Sequence, residues 1–177
     1  MRNIITYTVV VVTLLAIESC KQDRPTELFK MVYPVDFVLP AGLNTVQTHF
    51  YRVSNIQSQY QVQLDAVGRQ DSNITSITPK FAALSTVFQD ADLDFIRQVF
   101  IRVFDPADPD NINREVFYLD PVPPNTRTTI RPFPGLANVK EIASLPTFGI
   151  EVGISLWEVT PRTLDMRLTV ELSANVD

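Results

Sequence analysis

Two runs near the C-terminus limit the chain more than any other feature. In the first, Phe148, Ile150, Val152, Ile154 and Leu156 alternate with Gly149, Glu151, Gly153, Ser155 and Trp157; in the second, Leu164, Met166, Leu168, Val170 and Leu172 alternate with Asp165, Arg167, Thr169, Glu171 and Ser173. Successive side chains of a strand point to opposite faces, so a period of two predicts two strands, each with one face to bury. Thr160-Pro161-Arg162 lies between them and reads as a short turn. The expected unit is an antiparallel hairpin whose apolar face closes a core.

The rest of the chain supplies short segments that such a core can take up. Residues Val35 to Leu39, Thr45 to Val53, Ile74 to Pro79, Glu115 to Leu119 and Thr128 to Ile130 are rich in β-branched and aromatic side chains and read as strands. Pro79 is expected at an edge or a bend, since proline cannot donate to a ladder. Tyr60, Val62, Leu64 and Ala66 alternate with Gln61, Gln63 and Asp65, which predicts another half-buried strand. Gln98 to Phe104 is nearly all apolar, with Phe100, Arg102 and Phe104 opposite Val99, Ile101 and Val103, as in a strand covered on both sides or facing a partner. Helical signals are few: Ala91 to Ile96 as one turn, and Val139 to Ala143, where Asn138 and Glu141 stand at capping-box spacing. Thirteen prolines against five glycines divide these segments with stiff turns. The predicted architecture is all-β: residues 28–177 as a single antiparallel β-sandwich with one or two short helical turns, similar in outline to immunoglobulin-like domains of lipoproteins. That likeness is architectural and carries no function.

The N-terminus speaks to location. Arg2 precedes an apolar stretch from Ile4 to Ile17, shorter than the ~20 residues that span a bilayer and suited to a signal-peptide core. It ends in Ile17-Glu18-Ser19-Cys20, which resembles a bacterial lipobox: an aliphatic residue three before the cysteine, a small residue just before it, then the cysteine that receives the lipid. Glu18 departs from the pattern, where a small or hydroxylated residue is commoner. The resemblance implies a signal peptide over residues 1–19, lipidation at Cys20, and a polar tether through residue 27. It also implies anchoring to the outer membrane of the cell envelope, since two or more acyl chains hold a protein stably where one does not. The Ser-Cys-Lys junction followed by Asp23 is similar to lipoproteins of the Bacteroidota, in which charged residues after the cysteine direct export to the surface; periplasmic and surface-exposed placements both stay open.

Composition removes several chemistries. Cys20 is the sole cysteine, so neither a structural disulfide nor thiol catalysis is available to a lipidated chain. His49 is the sole histidine, and one chain cannot then build a site that needs two imidazoles. A net charge of −5 without a Lys/Arg cluster makes nucleic acid a poor partner. Asp105, Asp108 and Asp110, with Asn111 and Asn113, crowd oxygen ligands into one loop and are a calcium candidate, but short polar side chains are also what tight loops select. Asp90, Asp92 and Asp94 read the same way, as caps of the adjoining turn.

Two further sets of residues are candidates for binding. Trp157 falls on the alternation that contains Gly149 and Gly153, which predicts a shallow groove ending in an aromatic plate that suits a sugar, or else a tryptophan tucked under a loop. Phe100 and Phe104 are candidates for a partner-facing apolar surface. His49 and Tyr51 share a strand face. The expectation is a non-catalytic, membrane-anchored protein-binding or assembly module without a cofactor, with glycan binding through Trp157 as the alternative.

Overall fold

The computed structural model describes residues 25–110, 113–126 and 128–176. The expected signal peptide, Cys20 and most of the tether lie outside the described residues. Among the described residues nine strands form two antiparallel sheets: β1 (Thr26–Leu39), β2 (His49–Gln57), β3 (Ser76–Thr86), β4 (Ile96–Phe104), β5 (Asn113–Leu119), β6 (Thr129–Ile130), β7 (Phe133–Pro134), β8 (Thr147–Leu156) and β9 (Leu164–Val176). One sheet has the order β1-β9-β3-β6 and the other β2-β8-β4-β5-β7. The expected β-sandwich is what the chain forms. β1 takes in Thr26 and Glu27, which pair with Val176 and Asn175 rather than trailing as tether.

The two alternating runs are strands, but they are not a hairpin. β8 pairs with β2 and β4, β9 pairs with β1 and β3, and the turn between them carries the chain from one sheet to the other. A single apolar face is satisfied equally by a neighbour in the same sheet and by a strand across the core, and periodicity does not distinguish the two. Ile150, Val152 and Ile154 on one side and Met166, Leu168 and Val170 on the other are fully buried, as are Met31 of β1 and Ile101 of β4. At about 25 cal/mol per Å² of apolar surface removed from water, this interior drives the fold.

Residues 60–66 differ from expectation as well. They form helix α1 (Tyr60–Ala66), which buries Tyr60 and Leu64 and exposes Val62. The alternating set contains two i, i+4 pairs, and a helix buries one while releasing the other. The Tyr60 hydroxyl donates to Asp71, fixing α1 to the 3-10 turn Asp71–Asn73; Lys140 donates to the carbonyls of Asp71 (2.9 Å) and Ile74 (2.8 Å). The single-turn helix α2 (Lys140–Ala143) lies where Asn138 predicted it, with Asn138 Oδ1 accepting from the Lys140 amide at 3.0 Å. No helix forms at Ala91 to Ile96; a turn closed by the Ile96 amide on the Leu93 carbonyl takes its place. Pro79 does not end β3 but sits beside a bulge at Lys80.

Register sorts the connections to two poles. Leu39 pairs with Leu164, His49 with Ile154, Thr86 with Met166 and Ile96 with Leu156, so the loops 40–48, 87–95 and 157–163 crowd one end. Thr26, α1 and α2 lie at the other.

Candidate functional site

The outer face of the five-stranded sheet contains four of the expected site residues, in an arrangement that removes both expectations attached to them. Phe100 of β4 lies opposite Gly153 of β8, and Phe104 opposite Gly149. A Cβ at either glycine would fall inside the facing phenylalanine ring, so the glycines are seats for the rings, not the floor of an open groove. Phe100 is 8% exposed and Phe104 3%, which leaves neither as the partner-facing surface expected of them. Phe50 meets Phe100 edge-on at 5.8 Å, and Arg102 lies over the Phe100 ring at 4.7 Å.

Trp157 stands apart from that face. β8 ends at Leu156, and the Trp157 amide donates to the Phe95 carbonyl at 2.8 Å, turning the indole into the pole of loops. The ring is 55% exposed and one side of it is covered by the Arg97 guanidinium at 5.2 Å. Also exposed at this pole are Phe88 (75%) from loop 87–95, Val159 from loop 157–163 and Val46 from loop 40–48.

These loops are fastened to one another. Thr160 Oγ1 donates to the Pro40 carbonyl at 2.7 Å and accepts from the Leu43 amide at 2.9 Å, while the Gly42 amide donates to the Thr160 carbonyl. Gly42 has φ +77°, a left-handed conformation that glycine adopts without strain. Arg162 Nη2 binds Asp90 Oδ2 at 2.8 Å, joining loop 157–163 to loop 87–95, and this cation holds the Asp90 carboxyl below the usual carboxylate range. Asp92, Asp94 and Glu158 are exposed at the same pole and give its rim an acidic character.

The remaining candidates have structural partners. His49 is buried with Nε2 2.8 Å from the Asn44 carbonyl, and Tyr51 stacks on Phe37 at 4.8 Å, so the two do not form an exposed pair. Asp105 Oδ1 accepts from the Ala107 amide at 2.8 Å, the local turn bond that short acidic side chains favour. Among the described residues no group of three or more His, Cys, Asp or Glu converges to hold a metal ion, Asp105, Asp108 and Asp110 of the calcium candidate included, and Asn111 of that loop lies outside the described residues. A recess of about 440 Å³ opens beside β6 and β7, lined by Leu119, Pro123, Ile130, Arg131 and Phe133 with threonines 126, 128 and 129. A smaller one, about 180 Å³, lies between Arg52 and Arg102.

Phe88, Val159 and Val46 escape a reading by periodicity, because single apolar residues in polar loops have no period. Their signal is composition: Phe88 precedes Gln-Asp-Ala-Asp, where nothing nearby in sequence would bury it. The chain matches no protein-family model, and no curated protein matches it.

Proposed function

We propose that this chain is a lipid-anchored, non-catalytic module of the bacterial outer membrane that binds an envelope protein through its pole of loops. The observation that carries the reading is the exposure of Trp157, Phe88, Val159 and Val46 on loops bonded to one another. Large apolar side chains on a rigid loop platform supply interface energy without a heavy ordering cost on binding. The acidic rim disfavours docking on anionic lipid and suits a protein with a basic rim. Anchoring rests on the lipobox at Cys20, and the non-catalytic reading on the single histidine being spent on a backbone carbonyl. Glycan binding by the indole is the rival reading, and Arg97 leaves it only one ring face.

The test is site-specific photocrosslinking of the intact lipoprotein in its envelope. A benzoylphenylalanine replacing Phe88 is expected to capture one envelope protein in high yield, and the same group replacing Val38, exposed on the four-stranded sheet, to capture none. Equal, scattered capture from both positions would remove the proposal. Loss of polysaccharide retention on Trp157→Ala, with no crosslinked protein, would favour the glycan reading.

A further inference from the structure

The outer face of the five-stranded sheet carries three parallel rows. Register aligns Phe50, Gly153, Phe100, Tyr118 and Phe133 across β2, β8, β4, β5 and β7. Phe100 is sunk over its glycine, while Phe50, Tyr118 and Phe133 stay exposed. At about 4.8 Å per strand, Phe50 and Phe133 lie on strands about 19 Å apart. To one side runs an uncharged row: Thr48 Oγ1 and Ser155 Oγ 2.9 Å apart, Ser155 Oγ donating to Gln98 Oε1 at 3.1 Å, and Gln98 Nε2 donating to the Tyr118 hydroxyl at 3.2 Å. To the other side, Glu151 lies between Arg52, which donates to it directly, and Arg102, whose Nη1 is 3.5 Å away.

Charge is presented unequally in that last row. The Glu151 side chain is 5% exposed and committed to both arginines, whereas the Arg52 and Arg102 side chains are 50% and 38% exposed. Solvent therefore meets the guanidinium donors with the Glu151 carboxylate beneath them, and Arg102 has exposed Glu115 as its register partner on β5. Each cation also lies over a ring, Arg102 over Phe100 and Arg52 over Phe104 at 5.8 Å, which limits its freedom before any ligand arrives. The 180 Å³ recess between them is lined by Phe104, Pro109, Asp110 and Asn113 as well. Asp110 acts electrostatically on Arg52, and its presence favours a singly charged group over a phosphate dianion.

We propose that this face binds a glycan chain bearing carboxylate groups: Phe50, Tyr118 and Phe133 take sugar ring faces, the hydroxyl and amide row takes sugar hydroxyls, and Arg102 with Arg52 takes a uronate carboxylate. A linear acidic sugar has apolar ring faces, hydroxyl edges and carboxylates at regular intervals, and so meets all three rows together. On the opposite sheet, outward charges of β1 and β9 such as Lys30 with Glu171 and Arg167 with Asp36 are paired with one another.

The test is calorimetric titration of the intact lipoprotein in detergent micelles with polygalacturonate oligosaccharides, neutral xylo-oligosaccharides and poly-glutamate. Polygalacturonate is expected to bind, more weakly as salt rises, with Tyr118→Ala and Phe50→Ala each reducing affinity at least tenfold while the circular dichroism spectrum is kept. Arg102→Gln is expected to abolish the preference for the acidic over the neutral sugar; if that variant unfolds through the stranded Glu151, the rim variant Tyr118→Ala decides the matter. Binding of poly-glutamate with the same Arg102 dependence would overturn the glycan in favour of an acidic peptide. Absence of binding to polygalacturonate would overturn the face itself and leave the loop-pole reading untouched, whereas binding that Trp157→Ala abolishes and Tyr118→Ala does not would overturn the face and move the glycan to the indole.

Discussion

The two glycines of β8 act by what they lack. With no side chain at Gly153, the Phe100 ring fills the space above the backbone, held edge-on by Phe50 and capped by Arg102. A methyl at this position meets a ring that cannot simply swing aside, so Gly153→Ala is expected to destabilise the domain by about 1–3 kcal/mol, the usual cost of overpacking. The double variant with Phe100→Ala should recover part of that loss, because the two residues share one volume. Urea midpoints of the two single variants and the double check this; strict additivity would mean the ring and the glycine do not depend on each other. The glycines were visible in sequence as a break in a strand's outer face. What stands over them was not, since it depends on which strand pairs with β8 and in which register, and neither leaves a local trace.

At the scale of elements, period told more about faces than about neighbours. Both C-terminal runs are strands with the predicted inner faces, yet they lie in different sheets, and Tyr60 to Ala66 satisfied its alternation as a helix by burying only Tyr60 and Leu64. The loops were legible as turns, but their mutual bonding was not, because Thr160 reaches Pro40 and Arg162 reaches Asp90 across long stretches of chain. The Asp90 to Arg162 pair gives that bonding a pH dependence. Since Arg162 depresses the Asp90 carboxyl, the pair's contribution is complete above the ordinary carboxylate range near pH 4 and is lost as pH falls through the depressed value. Asp90→Asn should reproduce the acid state at neutral pH. Hydrogen exchange in residues 87–95, and at the Trp157 amide bonded to Phe95, is expected to speed up in this variant. The melting temperature should barely move, because an exposed ion pair contributes little to global stability. Unchanged exchange at these amides would show that backbone bonds alone hold the loops.

The whole molecule sets the entry of the chain against its apolar loops. β1 runs 14 residues from Thr26 at one pole to Leu39 at the other, about 43 Å at 3.3 Å per step. The span from Cys20 to Thr26 reaches at most about 21 Å even when fully extended. A lipid at Cys20 would thus hold the pole of α1 and α2 within about 21 Å of the bilayer, and a domain standing on that pole presents the loops with Trp157 and Phe88 at its far end, the orientation that protein binding through those loops requires. Trp157 is the only tryptophan and so reports its own depth. In vesicles carrying the intact protein with the proposed lipid at Cys20, brominated acyl chains are expected to leave its fluorescence unquenched, while soluble acrylamide quenches it readily. Strong quenching by the brominated lipid would lay the loop pole on the membrane and turn Trp157, Phe88 and Val159 into lipid contacts. Cys20→Ser, which removes the proposed site of acylation, should leave the protein unbound by the same vesicles, separating anchoring by lipid from any affinity of the loops themselves.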